Sequence, residues 1–220
     1  MKSIISLFIT CLPFNGVRVF FYRIIFKYNI DSKSKIGMFN IINCRKLKME
    51  NAQIGFFNQI IVNDLTLKDN STIKKRNRLK HLNILVLKNN SEIRSDNFIG
   101  APVRGTVDDS IDFLNQNLYI GRNSSILRNN YFDIVDEVFI GENVVFGGNG
   151  SEIWTHGFDT NRKMIVGKII FGNNIFVGSN CVFTKGISIA DQITIAPVSV
   201  IYKSITEQGV YSTHEIRKIK

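Results

Sequence analysis

Cysteine is scarce and scattered. Cys11, Cys44 and Cys181 are odd in number, lie far apart and form no C-x-x-C pair. They exclude a disulfide framework and a zinc site built on thiolates, and they fit a reducing compartment. Histidine is equally scarce: His81, His156 and His214 stand in three unrelated segments, with no spacing that converges on one metal ion. Long apolar runs are missing too. Ser3 to Leu12 is about ten residues, against the roughly twenty that a membrane-spanning helix needs, and Pro13 breaks it. It resembles a secretory h-region, but no small-x-small cleavage site follows. Acidic residues are outnumbered, 18 against 28 basic, for a formal charge of +10. Part of the excess lies in Lys74, Lys75, Arg76, Arg78 and Lys80. No nucleic-acid fold pattern accompanies this run. It reads as a solvated basic corner with a general preference for polyanions, including acidic glycans and anionic lipid surfaces. At 44% hydrophobic residues the chain can bury a core and is not disordered by composition.

What is present is a period of six. Ile140 and Phe146 are six apart, and Phe171, Val177, Phe183, Ile189, Ile195 and Ile201 keep that spacing. The residue two before each is usually apolar, and Gly or Ala follows most of them. A helix at 3.6 residues per turn would smear these side chains around its circumference. Hexads are the pattern of a parallel β-helix, each unit making one short strand and one corner. The inward residue is apolar and the small residue lets the backbone turn. Ser34-Lys35-Ile36-Gly37 and Ala52-Gln53-Ile54-Gly55 repeat one motif 18 residues apart, which is one triangular coil, so Ile36 and Ile54 should stack. Ile73, Ile93 and Ile120 continue as inward positions at wider spacing. The fold expected is mainly β, with residues 1–30 as a leader or capping helix, 31–202 as the β-helix, and 203–220 as an irregular or helical cap.

Two stretches interrupt the rhythm. Residues 101–117, with Pro102, Gly105 and Asp108, Asp109 and Asp112, read as a projecting loop; 150–164 is a second, carrying Trp154-Thr155-His156-Gly157. A two-residue slip falls near Phe132 and Ile134. The leader, Val17 to Phe26 in particular, is apolar with Arg18, Arg23 and Lys27 at intervals. It caps the open coil end, lies against an anionic leaflet, or does both. His81 reads as solvated surface, whereas His156 interrupts an otherwise regular scaffold. A neutral imidazole there can take a proton from an attacking hydroxyl or amine. It needs a partner on its other nitrogen, and Asp133, Asp136, Glu152 and Asp159 are the nearby carboxylates; Asp133 is preferred.

From Ile36 onward the chain resembles the hexapeptide-repeat acyltransferases, whose β-helix is left-handed. Phe171 to Ile205 (FGNNIFVGSNCVFTKGISIADQITIAPVSVIYKSI) follows that family's C-terminal coils. Asn130 to His156, and the opening Leu12-Pro13-Phe14-Asn15 to Tyr22-Arg23, resemble the branch that modifies surface polysaccharides. The resemblance implies a homotrimer with acetyl-CoA in a groove between neighbouring β-helices and a loop His as general base, here His156. It implies that Phe176, Gly178, Ser179, Ala196 and Ser199 line the groove, and that Lys203 and Arg217 meet the CoA phosphates. Asn130 stands where a polar residue is expected and is assigned, with Trp154, to acceptor contact. Three departures reshape the donor end: Ala196-Pro197-Val198-Ser199 for Gly-Ala-Gly-Ser, Tyr202 for Thr, and Thr213-His214-Glu215-Ile216 for Gly-Asn-Pro-Ala.

The reading is an acetyl-CoA-dependent O-acetyltransferase, without metal, acting on a sugar hydroxyl of a bacterial capsule, O-antigen or exopolysaccharide, or on its nucleotide- or lipid-linked precursor. The expected location is the cytoplasm, with the leader at the inner face of the membrane, and no nucleic acid is involved. N-acetylation of an amino sugar and a non-catalytic β-helix scaffold in glycan synthesis stay open beside it. The three-histidine metal-dependent enzymes of the same fold do not fit.

Overall fold

The computed structural model describes residues 2–103, 112 and 115–213. The chain is a parallel β-helix of three-faced rungs. The first face is a nine-stranded sheet running from Lys35–Ile36 to Gly209–Tyr211. The second and third faces form one 13-stranded sheet, because the early strands Ile41–Met49, Gln59–Leu67 and Arg78–Leu87 run unbroken round the corner between them. Ile36 pairs with Ile54, and Ile54 with Ile73, as the repeat motif requires. The first-face column continues through Ile93, Ile126, Phe146, Val177 and Ile195, all buried. Ile120 is different: it pairs with Leu87 and Ile140 in the third-face column. The strand before the inserted residues, Phe98–Gly100, is on the second face and the strand after them, Asn117–Ile120, is on the third, so the inward position reached next belongs to another column. Near the middle of the coil, Phe132, Phe146, Phe171 and Phe183 pack edge to face at 4.9 to 5.9 Å. Each buried apolar side chain of this size contributes about 1.5–3 kcal/mol.

A second column is polar. Asn40, Asn58, Asn77, Asn97 and Asn130 stack inside the corner leading into the second face, and all are buried. Each Oδ1 accepts the next residue's backbone N–H, at 2.8 Å for Asn58, 3.0 Å for Asn77, 3.1 Å for Asn97 and 3.0 Å for Asn130. The side-chain amides donate to carbonyls of the following rung, as Asn77 does to Arg94 at 2.7 Å. Ser151 continues the ladder by donating its N–H to Asn130 at 3.2 Å. Asn130 is therefore an internal strut. The expectation that it contacts an acceptor gives way to this role, because its side chain is enclosed and bonded.

Few corners use glycine. Asn is the commonest residue at the left-handed positions, including Asn123, Asn143, Asn174 and Asn180, with φ of 56° or 57°; Asn reaches this region at low cost. The glycines answer a different demand. A Cβ at Gly55 would lie 2.1 Å from the Lys74 carbonyl oxygen, and one at Gly141 2.1 Å from that of Gly172. The next rung passes too close for any side chain.

The ends also differ from expectation. The leader is two helices, α1 (Lys2–Thr10) and α2 (Asn15–Phe26), broken at Pro13. The coil does not close at 202: Ile205 bridges Ile189, and Gly209–Tyr211 adds a ninth first-face strand against Ile193–Ile195. Residues 214–220, with His214 and Arg217, lie outside the described residues.

The asparagine ladder yields the first test. Asn77→Ala leaves the buried Asn97 N–H and the Arg94 carbonyl without partners. It should cost about 2–4 kcal/mol in chemical denaturation, whereas Asn→Ala at an exposed position outside the left-handed corners, such as Asn89, should cost far less.

Candidate active site

Three insertions fall in the chain between a second-face strand and the following third-face strand: the segment after Gly100, expected as a projecting loop and largely outside the described residues, the turn after Asp133, and the loop after Trp154. The early rungs cross between these faces in continuous strands, broken only by a one-residue bulge at His81. His81 is half-buried there, not simply solvated surface.

The loop after Trp154 is a β-hairpin. His156–Phe158 pairs antiparallel with Met164–Val166, placing His156 opposite Val166 at the hairpin base. Asp159 closes the tip: its Oδ1 accepts from the N–H groups of Asn161 and Lys163, both at 2.8 Å. Asp159 is thereby a turn residue and not the partner of His156.

Asp133 ends the second-face strand one rung below, in register with Trp154. The two extra residues that produce the slip in the hexads form the turn that follows it. That turn is clamped by the buried Thr155, whose hydroxyl accepts from the N–H groups of Val135 (2.7 Å) and Asp136 (3.0 Å) and donates to the Asp133 carbonyl (3.0 Å). One residue thus ties the base of the hairpin to the turn carrying the carboxylate. Asp133 Oδ1 stands 3.8 Å from His156 Nδ1, with the side chains only 19% and 16% exposed. This is beyond hydrogen-bond distance, but Nδ1 is enclosed and has no other partner. Asp133 is the carboxylate that the fold brings to His156. Asp136 caps the Glu137 N–H, and Glu152 accepts from Trp154 Nε1 at 2.8 Å.

The pair opens on a cleft of about 280 Å³ lined by Phe98, Gly100, Tyr131, Asp133, Val135, His156 and Met164, among others. Phe98 and Tyr131 in this lining were not anticipated; Trp154, expected to contact the acceptor, does not line the cleft itself but extends their stack. Phe98 and Tyr131 stack at 4.9 Å, and Tyr131 meets Trp154 at 5.3 Å; Arg78 lies over the far side of Phe98. The signal was available in the hexads, since Phe98 and Tyr131 directly precede the inward Ile99 and Phe132 and must face outward. Lys185 was also missed: its Nζ comes within 3.1 Å of where a Gly157 Cβ would be, so the glycine leaves room for the lysine beside the hairpin.

The residues assigned to the donor do not line this cleft. Phe176 is exposed on the first face, Ser179 and Ala196 are half-buried, and Lys203 is exposed with its ammonium over the Tyr202 ring. Gly178 is buried, and the enclosed Ser199 hydroxyl donates to the Ala196 carbonyl at 2.8 Å; Ser199 faces inward and offers no hydroxyl to a groove. Ser179 instead borders a basic groove of about 580 Å³ with Lys74, Arg94 and Arg128.

Fold and site define a hexapeptide-repeat β-helix protein in which a His on a projecting hairpin meets an Asp at the end of the strand one rung below. The galactoside O-acetyltransferase of Escherichia coli (strain K12) is 30% identical to this chain over 107 residues, covering 49% of this chain and 52% of that protein. The chain thus matches about half the length of this curated relative. Its hexads and this similarity support the resemblance to the hexapeptide-repeat acyltransferases. No family model matches. Among solved structures, a maltose O-acetyltransferase from Clostridium difficile 630 aligns at a TM-score of 0.40 with 25% identity, over 42% of this chain and 52% of that one. The polySia specific acetyltransferase NeuO aligns at 0.46 with 18% identity, over 85% and 77%. Alignments at this level do not bear on what the chain does.

Burial raises the Asp133 carboxyl above its ordinary 3.8, with the charge of His156 pulling the other way. Between the unfolded and the raised value the folded protein holds more protons, so this group's contribution to stability falls as pH rises through that window and stays low above it. Asp133→Asn should therefore be more stable than wild type at pH 7, with the difference closing as pH falls to 3.8 and below. Denaturation curves at both pH values measure it.

Proposed function

We propose that the chain is an acetyl-CoA-dependent O-acetyltransferase for a sugar hydroxyl of a bacterial surface polysaccharide or its precursor. The observation that carries the reading is the His156–Asp133 pair at the rim of an aromatic-walled cleft. The similarity to a galactoside O-acetyltransferase supports sugar acetylation.

The chemistry follows from the groups present. A sugar ring lies against Tyr131 and Trp154, whose flat apolar faces suit its C–H surface. Asp133 holds Nδ1–H of His156, which requires the two to close from 3.8 Å to hydrogen-bond distance. Nε2 then takes the acceptor hydroxyl proton as the oxygen bonds to the thioester carbonyl carbon. The tetrahedral adduct collapses by breaking the C–S bond. The proton passes from His156 to the departing sulfur, giving an acetyl ester and free CoA thiol.

The donor reading rests on the last rungs. Phe176, Val198, Val200, Tyr202 and Val210 are all exposed there. An apolar strip of this kind suits both the pantetheine arm and a neighbouring β-helix, and a homotrimer would supply that neighbour. Val198 occupies a left-handed corner position, φ 64°, which Asn180 holds in the rung before and Asn129 further back. The altered Ala196-Pro197-Val198-Ser199 step thus keeps the corner geometry while presenting a branched apolar side chain to the groove. Lys203, and Arg217 beyond the described residues, are the cations for the CoA phosphates.

The test is thiol release from acetyl-CoA with a panel of surface-glycan fragments. Glycan-dependent release should fall by about two orders of magnitude or more in His156→Ala. Trp154→Ala should chiefly raise KM for the acceptor. Equal rates in wild type and His156→Ala would remove the base from the mechanism. No acetyl-CoA binding at all would turn the reading to a scaffold.

A further inference from the structure

The two leader helices bury Ile9, Val19 and Tyr22 together with Ser6, Thr10 and Arg18 against the protein, and leave a second apolar side facing away. Inward, α1 and α2 cap the first rung with side chains. Ser6 Oγ accepts the Ile42 N–H at 2.7 Å, and Thr10 Oγ1 donates to the Asn40 carbonyl at 2.7 Å. Asn15 Oδ1 accepts the Ile36 N–H at 2.8 Å, and Arg18 Nε donates to the Ile36 carbonyl at 2.8 Å. A first rung has no preceding rung to satisfy its backbone, so these contacts explain the buried polar side chains. They do not explain the other side. Ile4, Phe8, Phe14, Phe20 and Ile24 are 55% to 72% exposed. Phe39 and Phe57 stack at 5.1 Å beside them, both exposed, and the Phe39 N–H bonds the last residue of α1. Monomeric proteins rarely leave so much contiguous apolar surface uncovered.

Charge selects the occupant. Residues 1–30 contain no Asp or Glu, while Lys2, Arg23 and Lys27, and Lys33 and Lys35 just beyond in sequence, are all exposed. A second copy would set cations against cations with no carboxylate from either leader. An anionic bilayer offers both hydrocarbon for the aromatics and phosphate for the lysines. Neither described helix is long and apolar enough to cross a membrane, so the fit is to the interface.

We propose that α1 and α2 form a docking face for an anionic lipid surface, independent of the acetyl-transfer reading. The full chain, mixed with vesicles of phosphatidylcholine alone or with an equal part of phosphatidylglycerol, is separated by flotation. Binding to the anionic vesicles should exceed that to neutral ones by roughly tenfold or more, and weaken in about 0.5 M salt. Phe8→Glu with Phe20→Glu should abolish it with unchanged thermal unfolding. Lys2→Gln with Lys27→Gln, whose side chains make no described bond to the coil, should remove most of the anionic preference while folding is kept. No flotation with either vesicle, equal binding to both, or undiminished binding by both variants would overturn the proposal. So would a self-association in lipid-free solution that Phe8→Glu with Phe20→Glu abolishes, if wild type does not bind vesicles; the face would then belong to a second copy.

Discussion

Rung-to-rung pairing is the constraint on which this structure depends. A three-faced rung makes few backbone hydrogen bonds of its own; nearly every strand N–H and C=O is satisfied by the rung before or after it. A rung whose strands drifted out of register would strand polar groups in the core. Perimeter on the faces is thus held constant, and additional residues can leave only at corners. The glycines at Gly55 and Gly141 express the same demand, because the next rung's carbonyls occupy the space a side chain would need.

The candidate site is a consequence of where those additions were placed. All three departures from the hexad rhythm fall between a second-face and a third-face strand of neighbouring rungs, so residues distant in sequence meet. Thr155 shows how closely the departures are matched: its hydroxyl satisfies two amides released by the slip after Asp133 while anchoring the His156 hairpin. The buried carboxylate beside His156 stands against the folding equilibrium at neutral pH, whereas the surrounding rungs, with their phenylalanine core and asparagine ladder, are rich in stabilising contacts. A repetitive scaffold can carry a locally unfavourable group because its neighbours hold the geometry regardless.

The N-terminal end meets the pairing constraint differently. With no rung below, the first coil takes its missing partners from Ser6, Thr10, Asn15 and Arg18. That requirement places polar side chains among the buried Ile9, Val19 and Tyr22 on the inward sides of both helices. The outward sides remain apolar as well, and the exposed cations of the leader remain available to an anionic surface.

Much of this was legible in the residues. A period of six dictates an inward column of apolar side chains, and it located the coil from Ile36, the stacking of Ile36 on Ile54, and the interruption carrying His156. Preference for Asp133 among four carboxylates rested on its position one coil back, a distance that repeats make readable. Elsewhere the pattern misled. Asn130 looked like a site residue because polarity in sequence does not say which way a side chain points; inside the coil it is a strut. Ile120 was placed in the wrong column because an insertion of unknown geometry precedes it. The donor-end residues Gly178 and Ser199 turned out enclosed, since hexad position alone does not distinguish the groove side of a corner from its interior. The sequence by itself determined the repeat, the inward columns and the two places where the repeat is broken, because those follow from local periodicity. Only the tertiary structure decided that the breaks fall between the same two faces, that Thr155 joins the hairpin to the turn after Asp133, that Phe98, Tyr131 and Trp154 form one stack, and that the leader helices keep an apolar side outward. Each depends on which rungs lie side by side, which the stacking of the whole coil decides.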